Sequence, residues 1–246
     1  MNLRAILTLL LFVLSGRALF AADAAERAIL GFSADGRYFA FEQFGVQDGS
    51  GFPYSEIFII DLETDSWLEG TPVRVRLEDE TQSLETARRR AKDEARRYLE
   101  VAAIEDNARV LASNSVYQQT PDPRQLIFRS FYTSFGHLEA IDPDDENVIS
   151  LELEEIVLPT PEGCPLGDTP MAGFLLKAKN DSEPYQEVHR DTKIPTSRVC
   201  PLKYSLSDAV VFSTAGGQTQ RIVVLVNVFS LGFEGPDRRF LAVPLK

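Results

Sequence analysis

Short runs of β-branched and aromatic residues, separated by turn-forming residues, recur along most of the chain and predict strands. The first two strands flank Ser33-Ala34-Asp35-Gly36, where Asp-Gly supplies the positive φ that a tight reversal needs. The glycine-rich residues 47–53 are predicted to form a loop. After a first strand that begins near residue 28, strands are predicted at residues 37–44, 56–62, 72–77, 125–133, 148–157, 173–178, 204–212, 221–229 and 238–243.

The hydrophobic period changes between residues 82 and 113. Small apolar side chains, mostly alanine, recur there at three- and four-residue steps, which is typical of one face of a helix. Glu85 with Arg89, and Asp93 with Arg97, are oriented acid-to-base pairs that support the exposed side. An alanine stripe allows close approach, so the helix is predicted to lie flat on a sheet. Polar residues at 105–107 leave two alternatives, one long helix or a broken helix pair.

Because helical periodicity is confined to one insertion, the sequence predicts a β-rich α+β fold with a mainly antiparallel sheet or sandwich. A single domain is predicted at residues 25–246. It divides into an N-terminal β segment (25–77), the helix (82–113) and a sandwich-like part (124–246). Residues 222–226 are apolar throughout and are predicted to form a central strand buried on both faces. The polar stretch 180–198 is predicted to be a long loop.

The N-terminus has the layout of a secretory signal peptide. Arg4 precedes an almost uninterrupted apolar run over residues 5–14, which is shorter than the roughly 20 residues that span a bilayer. The small-x-small triplet Ala22-Asp23-Ala24 predicts cleavage after Ala24, with cleavage after Ala21 or Ala22 as alternatives. Residues 1–24 are therefore the predicted signal peptide, the protein is predicted to be secreted or periplasmic, and no transmembrane segment is predicted in the mature chain.

Cys164 and Cys200 are the two cysteines of the chain, and both lie in the part predicted to be exported. An oxidising compartment favours a disulfide between them, and two free buried thiols are the alternative. Closing a loop of this length stabilises a fold by roughly 3 to 4 kcal/mol in the chain-entropy model.

Composition excludes several classes of function. Lys and Arg number 25 against 37 Asp and Glu, which gives a net charge of −12, whereas general nucleic-acid binders need a cationic surface. The chain has two His and two Cys, which are few ligands for a metal centre built from these residue types. The sequence also lacks the GxSxG, HExxH, Walker and GxGxxG signatures, and no cofactor is predicted.

Two clusters of charged residues are candidate binding sites. The acidic cluster could suit Ca²⁺ in an exported protein, and a solvated acidic turn is the alternative. The basic cluster could dock on an anionic envelope polymer or an acidic partner protein, and a solvated helix face neutralised by neighbouring acids is the alternative. The acidic candidates are Asp142, Asp144, Asp145 and Glu146, and the basic candidates are Arg88, Arg89, Lys92 and Arg96.

Two resemblances emerge. Residues 33–41, followed by residues 56–61, resemble one blade of a TolB-type β-propeller, with Ala34 in place of the usual Pro. The motif occurs once, whereas propellers repeat it, so it is interpreted as a β-hairpin. The chain as a whole resembles a family of bacterial predicted secreted proteins of unknown function. This resemblance rests on the predicted signal peptide, residues 33–41, the Arg-rich helix and the closing residues 232–240. That resemblance implies export and assigns no site residue.

Three functional hypotheses follow. The first is a non-enzymatic envelope interaction module that binds through its sheet face or glycine-rich loop and exposes a large apolar or mixed patch. The second is a carbohydrate or small-ligand binder that stacks a sugar on Tyr54, Trp67 and Tyr185. The third is a hydrolase with two carboxylates about 5 to 10 Å apart in a cleft.

Overall fold

The computed structural model describes residues 22–114, 122–129, 148–167, 169–180, 183–214 and 220–245. A short 3-10 helix at Thr196–Arg198 precedes the longest strand. In chain order the other elements are β1 (Glu26–Ser33), β2 (Tyr38–Val46), β3 (Pro53–Asp61), β4 (Ser66–Trp67), β5 (Val73–Arg76), α1 (Leu84–Val101), β6 (Ile104–Glu105), β7 (Arg109–Ser113), β8 (Gln125–Arg129), β9 (Val148–Leu158), β10 (Met171–Asn180), β11 (Gln186–Arg190), β12 (Pro201–Ser213), β13 (Gln220–Ser230) and β14 (Asp237–Leu245).

The strands form three antiparallel sheets. The first sheet has the order β4-β3-β2-β1-β6, with β5 also paired to β3. The central sheet has the order β14-β13-β12-β7, and the third sheet has the order β11-β10-β9-β8. The fold is therefore β-rich, with one helix after the N-terminal strands, as the sequence predicts.

The central sheet is buried on both faces. Val224 and Val226 belong to the core shared with the third sheet, whereas Val223 and Leu225 belong to the core shared with the first sheet. This alternation follows from the period of two along a strand. It confirms residues 222–226 as a doubly buried central strand.

Helix α1 covers the other face of the first sheet. Ala87, Ala91 and Ala95 are fully buried against Ile57 and Val73. Ser83 caps the helix, because its side-chain oxygen accepts a hydrogen bond from the Thr86 N–H. The alanine stripe thus places the helix flat on the sheet, as predicted.

The predicted helix over residues 82–113 is wrong beyond Val101. Ala103 takes a left-handed conformation (φ 49°), which ends the helix, and residues 109–113 form β7 instead. Strand β7 pairs with β12 and forms an edge of the central sheet. Long-range pairing therefore overrides the local helical period.

The predicted loop at residues 180–198 is also wrong in part, because it contains β11. This strand pairs with β10 at the edge of the third sheet. Its five residues alternate little in burial, since edge strands commonly carry polar and charged side chains. The predicted strand at 125–133 is confirmed as far as Arg129, and residues 130–133 lie outside the described residues.

Cys164 and Cys200 form the predicted disulfide, with their Cα atoms 5.6 Å apart. Cys200 is fully buried and packs with Met171 and Ile194. The bridge ties the segment after β9 to the start of β12. It therefore holds in place the 3-10 turn that precedes β12.

Candidate functional site

A groove of about 320 Å³ lies where the central sheet ends at β14. One wall comes from the first sheet and includes Phe58, Trp67 and Arg74. A second part of the lining, which we call the second wall, comes from the 3-10 turn at residues 197–199, and we call the part from β13, β14 and the residues between them the floor. Three separate parts of the chain therefore build the groove.

On the outer edge of β14, Phe240 lines the floor of the groove. The Arg238 N–H donates to the Asp23 carbonyl oxygen at 2.9 Å, and the Ala25 N–H donates to the Arg238 carbonyl oxygen at 3.1 Å. The next outward N–H, that of Phe240, donates to the Gln43 side-chain oxygen at 3.0 Å. In an antiparallel edge strand, the N–H groups of every second residue point away from the sheet, so the Ala242 N–H points to the same side as those of Arg238 and Phe240. Beyond Arg238, the edge of β14 therefore bonds to the Gln43 side chain and not to the backbone of another strand.

Trp67 forms the aromatic part of the first wall. Its ring lies edge-on to Phe58, with 6.0 Å between the ring centroids, and the Arg74 guanidinium lies 5.6 Å from the Trp67 centroid. Arg74 also pairs with Glu56, with 3.0 Å between nitrogen and oxygen. Trp67 is the single tryptophan of the chain and is 44% exposed, so part of its side chain is open to a ligand.

Trp67 is the one member of the predicted sugar-stacking trio that lines this groove. Tyr54 is buried, and its hydroxyl donates to Asp23. Tyr185 is exposed, but it precedes β11 and does not line the groove. The three aromatic side chains therefore do not form one platform.

A buried polar network supports the second wall. Arg198 Nη1 lies 2.5 Å from Asp191 Oδ2 and 3.3 Å from the Tyr204 hydroxyl. Asp191 also accepts from the Phe174 N–H at 2.9 Å, and its Oδ1 lies 3.0 Å from His189 Nε2. Burial alone would raise the pKa of Asp191, but hydrogen bonds with His189 and Arg198 hold that pKa below its ordinary value of 3.8. The network thus keeps Asp191 charged and paired with Arg198.

The rim beside this network has a fixed shape. Val199 has a positive φ of 57°, which is strained for a β-branched residue. Two hydrogen bonds hold the turn, from the Ser230 hydroxyl to the Arg198 carbonyl and from the Leu231 N–H to the Cys200 carbonyl. Val199 and Leu231 both line the groove with exposed apolar side chains. Together with Trp67, they give the groove an apolar rim.

Glu56 and Asp237 are two carboxylates in the groove lining, and a hydrolase would need such a pair. Glu56 already has charged and polar partners, because Arg74 and the Gln43 amide both contact it. Burial raises the pKa of Asp237, against the opposing effect of Arg239. The hydrolase alternative therefore stays a hypothesis.

The predicted partner-binding cations lie on α1, away from the groove. Arg88 makes two 2.9 Å hydrogen bonds to the buried Glu42 carboxylate, and Lys92 lies 3.6 Å from it. Arg96 pairs with Asp93 on the surface, and Arg89 is exposed. Two of the four candidates thus contribute to packing between the helix and the first sheet, and their binding role stays a prediction.

The predicted Ca²⁺ ligands Asp142, Asp144, Asp145 and Glu146 lie outside the described residues. Within the described ranges, no three His, Cys, Asp or Glu side chains are grouped to hold a metal ion. Calcium binding therefore stays a prediction. In the same ranges, no helix combines the length and apolar character needed to cross a membrane.

Sequence reasoning found Trp67 but missed Asp191, Arg198, Leu231 and the edge of β14. Residues 196–199 carry one local sign of a constrained turn, namely their position just before Cys200. The other residues converge only because three sheets stack.

A family model described as "Predicted secreted protein (DUF2259)" matches residues 40–246. The matched region contains the groove residues described above. No curated protein matches the chain.

Proposed function

The chain belongs to the DUF2259 family of predicted secreted proteins, and from that premise we propose that it is a non-enzymatic binding module of the cell envelope. Its N-terminal signal peptide directs export to the periplasm. Its groove binds an extended polypeptide segment of an envelope protein. The observation that carries this proposal is that Phe240, on the outer edge of β14, lies in the floor of a groove with an apolar rim.

The edge of β14 favours a polypeptide as the ligand. Ala24 already forms a parallel bridge with Arg238, so one end of this edge accepts an extended chain. Farther along, the Phe240 N–H is bonded to the buried Gln43 side chain, which is 3% exposed, so a ligand carbonyl replaces Gln43 as the acceptor only after that side chain moves away. Adding a strand to an exposed sheet edge is a common mode of peptide recognition. Pro244 has no N–H and therefore ends the series of donors.

The walls of the groove indicate which side chains the ligand carries. Arg74 is paired with Glu56, and Arg239 is paired with Asp23, so both guanidinium groups already have an acidic partner. The exposed side chains of Trp67, Val199 and Leu231 are apolar. A volume of about 320 Å³ is at the small end of the range for ligand sites. The ligand therefore inserts an apolar or aromatic side chain while its backbone pairs with β14.

Leu231→Asp is expected to weaken peptide binding at least tenfold, because a charge at an apolar rim must be desolvated on binding. The probe is a linear peptide selected from a random displayed library against the exported protein. Binding is measured as a change in the fluorescence of Trp67, the single tryptophan. Leu202→Asp is the matched control, because Leu202 and Leu231 are both 38% exposed and Leu202 does not line the groove.

Equal losses for the two variants would contradict the assignment of the groove, and failure to select any peptide would contradict the polypeptide ligand. The exposed Trp67 favours a sugar as the second candidate. Soluble oligosaccharides are titrated in the same assay. A fluorescence change with them, but with no selected peptide, would favour the carbohydrate hypothesis.

A further inference from the structure

Asp23 is an integral part of the folded domain. Its side chain is almost fully buried, and the residue is 2% exposed. The carboxylate accepts hydrogen bonds from the Tyr54 hydroxyl at 2.7 Å and from Arg239 Nη2 at 2.6 Å. The Asp23 backbone carbonyl accepts from the Arg238 N–H and from Arg239 Nη1. Asp23 therefore neutralises Arg239 and extends the edge of β14.

Cleavage after Ala24 would remove this residue and place a new charge in the same spot. Arg239 would lose its carboxylate, and the Tyr54 hydroxyl would lose its acceptor. The new α-ammonium group would lie on Ala25, which is fully buried and bonded to Arg238 through both its N–H and its carbonyl. A buried cation beside two arginines, without the carboxylate, is strongly unfavourable.

We propose that the signal peptide is cleaved after Ala18, so that the mature chain begins at Leu19 and keeps Asp23. This inference rests on the export proposed above. Cleavage after Ala21 or Ala22 would also keep Asp23, but Leu19 or Phe20 would then stand where the motif has a small residue, whereas Gly16-Arg17-Ala18 is small at both positions. The export signal peptidase hydrolyses the peptide bond between Ala18 and Leu19. The C–N bond breaks, the water oxygen bonds to the Ala18 carbonyl carbon, and the Leu19 nitrogen gains a proton and becomes the α-amino group.

The N-terminus is tested by exporting the full chain from a bacterial host and measuring the intact mass and N-terminal sequence of the product. The expected N-terminus is Leu19. A mature chain that begins at Ala22, Asp23 or Ala25 would overturn the proposed site. A chain that stays uncleaved and unexported would instead overturn the export on which this inference rests.

Two matched variants separate the candidate sites independently of the wild-type mass. Ala18→Glu is expected to block processing, because a charged residue replaces the small residue before the cleaved bond. Ala24→Glu is expected to be processed as the wild type is, and the fold tolerates it because the Ala24 side chain is exposed. The reverse pattern, with Ala24→Glu blocked and Ala18→Glu processed, would place cleavage after Ala24 and overturn the proposal.

Discussion

Asp191→Ala is expected to lower the free energy of unfolding by about 3–5 kcal/mol, the range for removing one partner of a buried ion pair. The side chains of Asp191 and Arg198 are 3% and 8% exposed, so water cannot replace the lost carboxylate. The Phe174 N–H also loses its side-chain acceptor, and His189 loses its partner. The destabilisation therefore comes from several buried polar groups that become unsatisfied together.

Urea unfolding of the disulfide-bonded protein at neutral pH measures this loss. Glu187→Ala is the matched control on the neighbouring strand β11. Its partner is Arg190, and both side chains are about half exposed, so removing this pair is expected to change stability by less than about 1 kcal/mol. Similar effects of the two substitutions would show that the Asp191 network does not behave as a buried ion pair.

Most of the strands could be predicted because their residues are buried on at least one face. Residues 222–226 show this most clearly, since an unbroken apolar run is what a strand between two cores requires. The alanine stripe of α1 likewise predicts that the helix packs on a sheet, because close packing on a sheet requires small side chains. These features depend on local periodicity, which a sequence displays directly.

The edge strands and the groove could not be predicted in the same way. Strands β7 and β11 are largely polar or half-exposed, so their sequences resemble helix ends or loops until a long-range partner pairs with them. The groove combines Trp67, Arg198 and Leu231, which lie far apart in the sequence. Their convergence depends on how the three sheets stack, and no local pattern encodes that arrangement.

Glu42→Ala is likewise expected to lower the free energy of unfolding by about 3–5 kcal/mol at neutral pH. The Glu42 side chain is fully buried in β2, where it accepts from the Ser55 hydroxyl at 2.9 Å and pairs with Arg88 and Lys92 of α1. The substitution removes the carboxylate that holds two helix cations on the sheet. Asp93→Ala is the control on the same helix, because the Asp93 and Arg96 side chains are 57% and 67% exposed. It is expected to change stability by less than about 1 kcal/mol.

The contribution of Glu42 is also expected to depend on pH. Burial alone would raise its pKa, but hydrogen bonds from Arg88 and Ser55, and the charges of Arg88 and Lys92, hold the pKa below its ordinary value of 4.5. A carboxyl group with a lowered folded-state pKa stabilises the fold above its unfolded pKa, and this stabilisation is lost as the pH falls through the folded pKa. The stability difference between the wild type and Glu42→Ala should therefore be largest near neutral pH and shrink as the pH falls below about 4.5. Urea titrations at neutral and acidic pH measure this difference, and a pH-independent value would mean that the charge of Glu42 contributes nothing to holding α1 on the sheet.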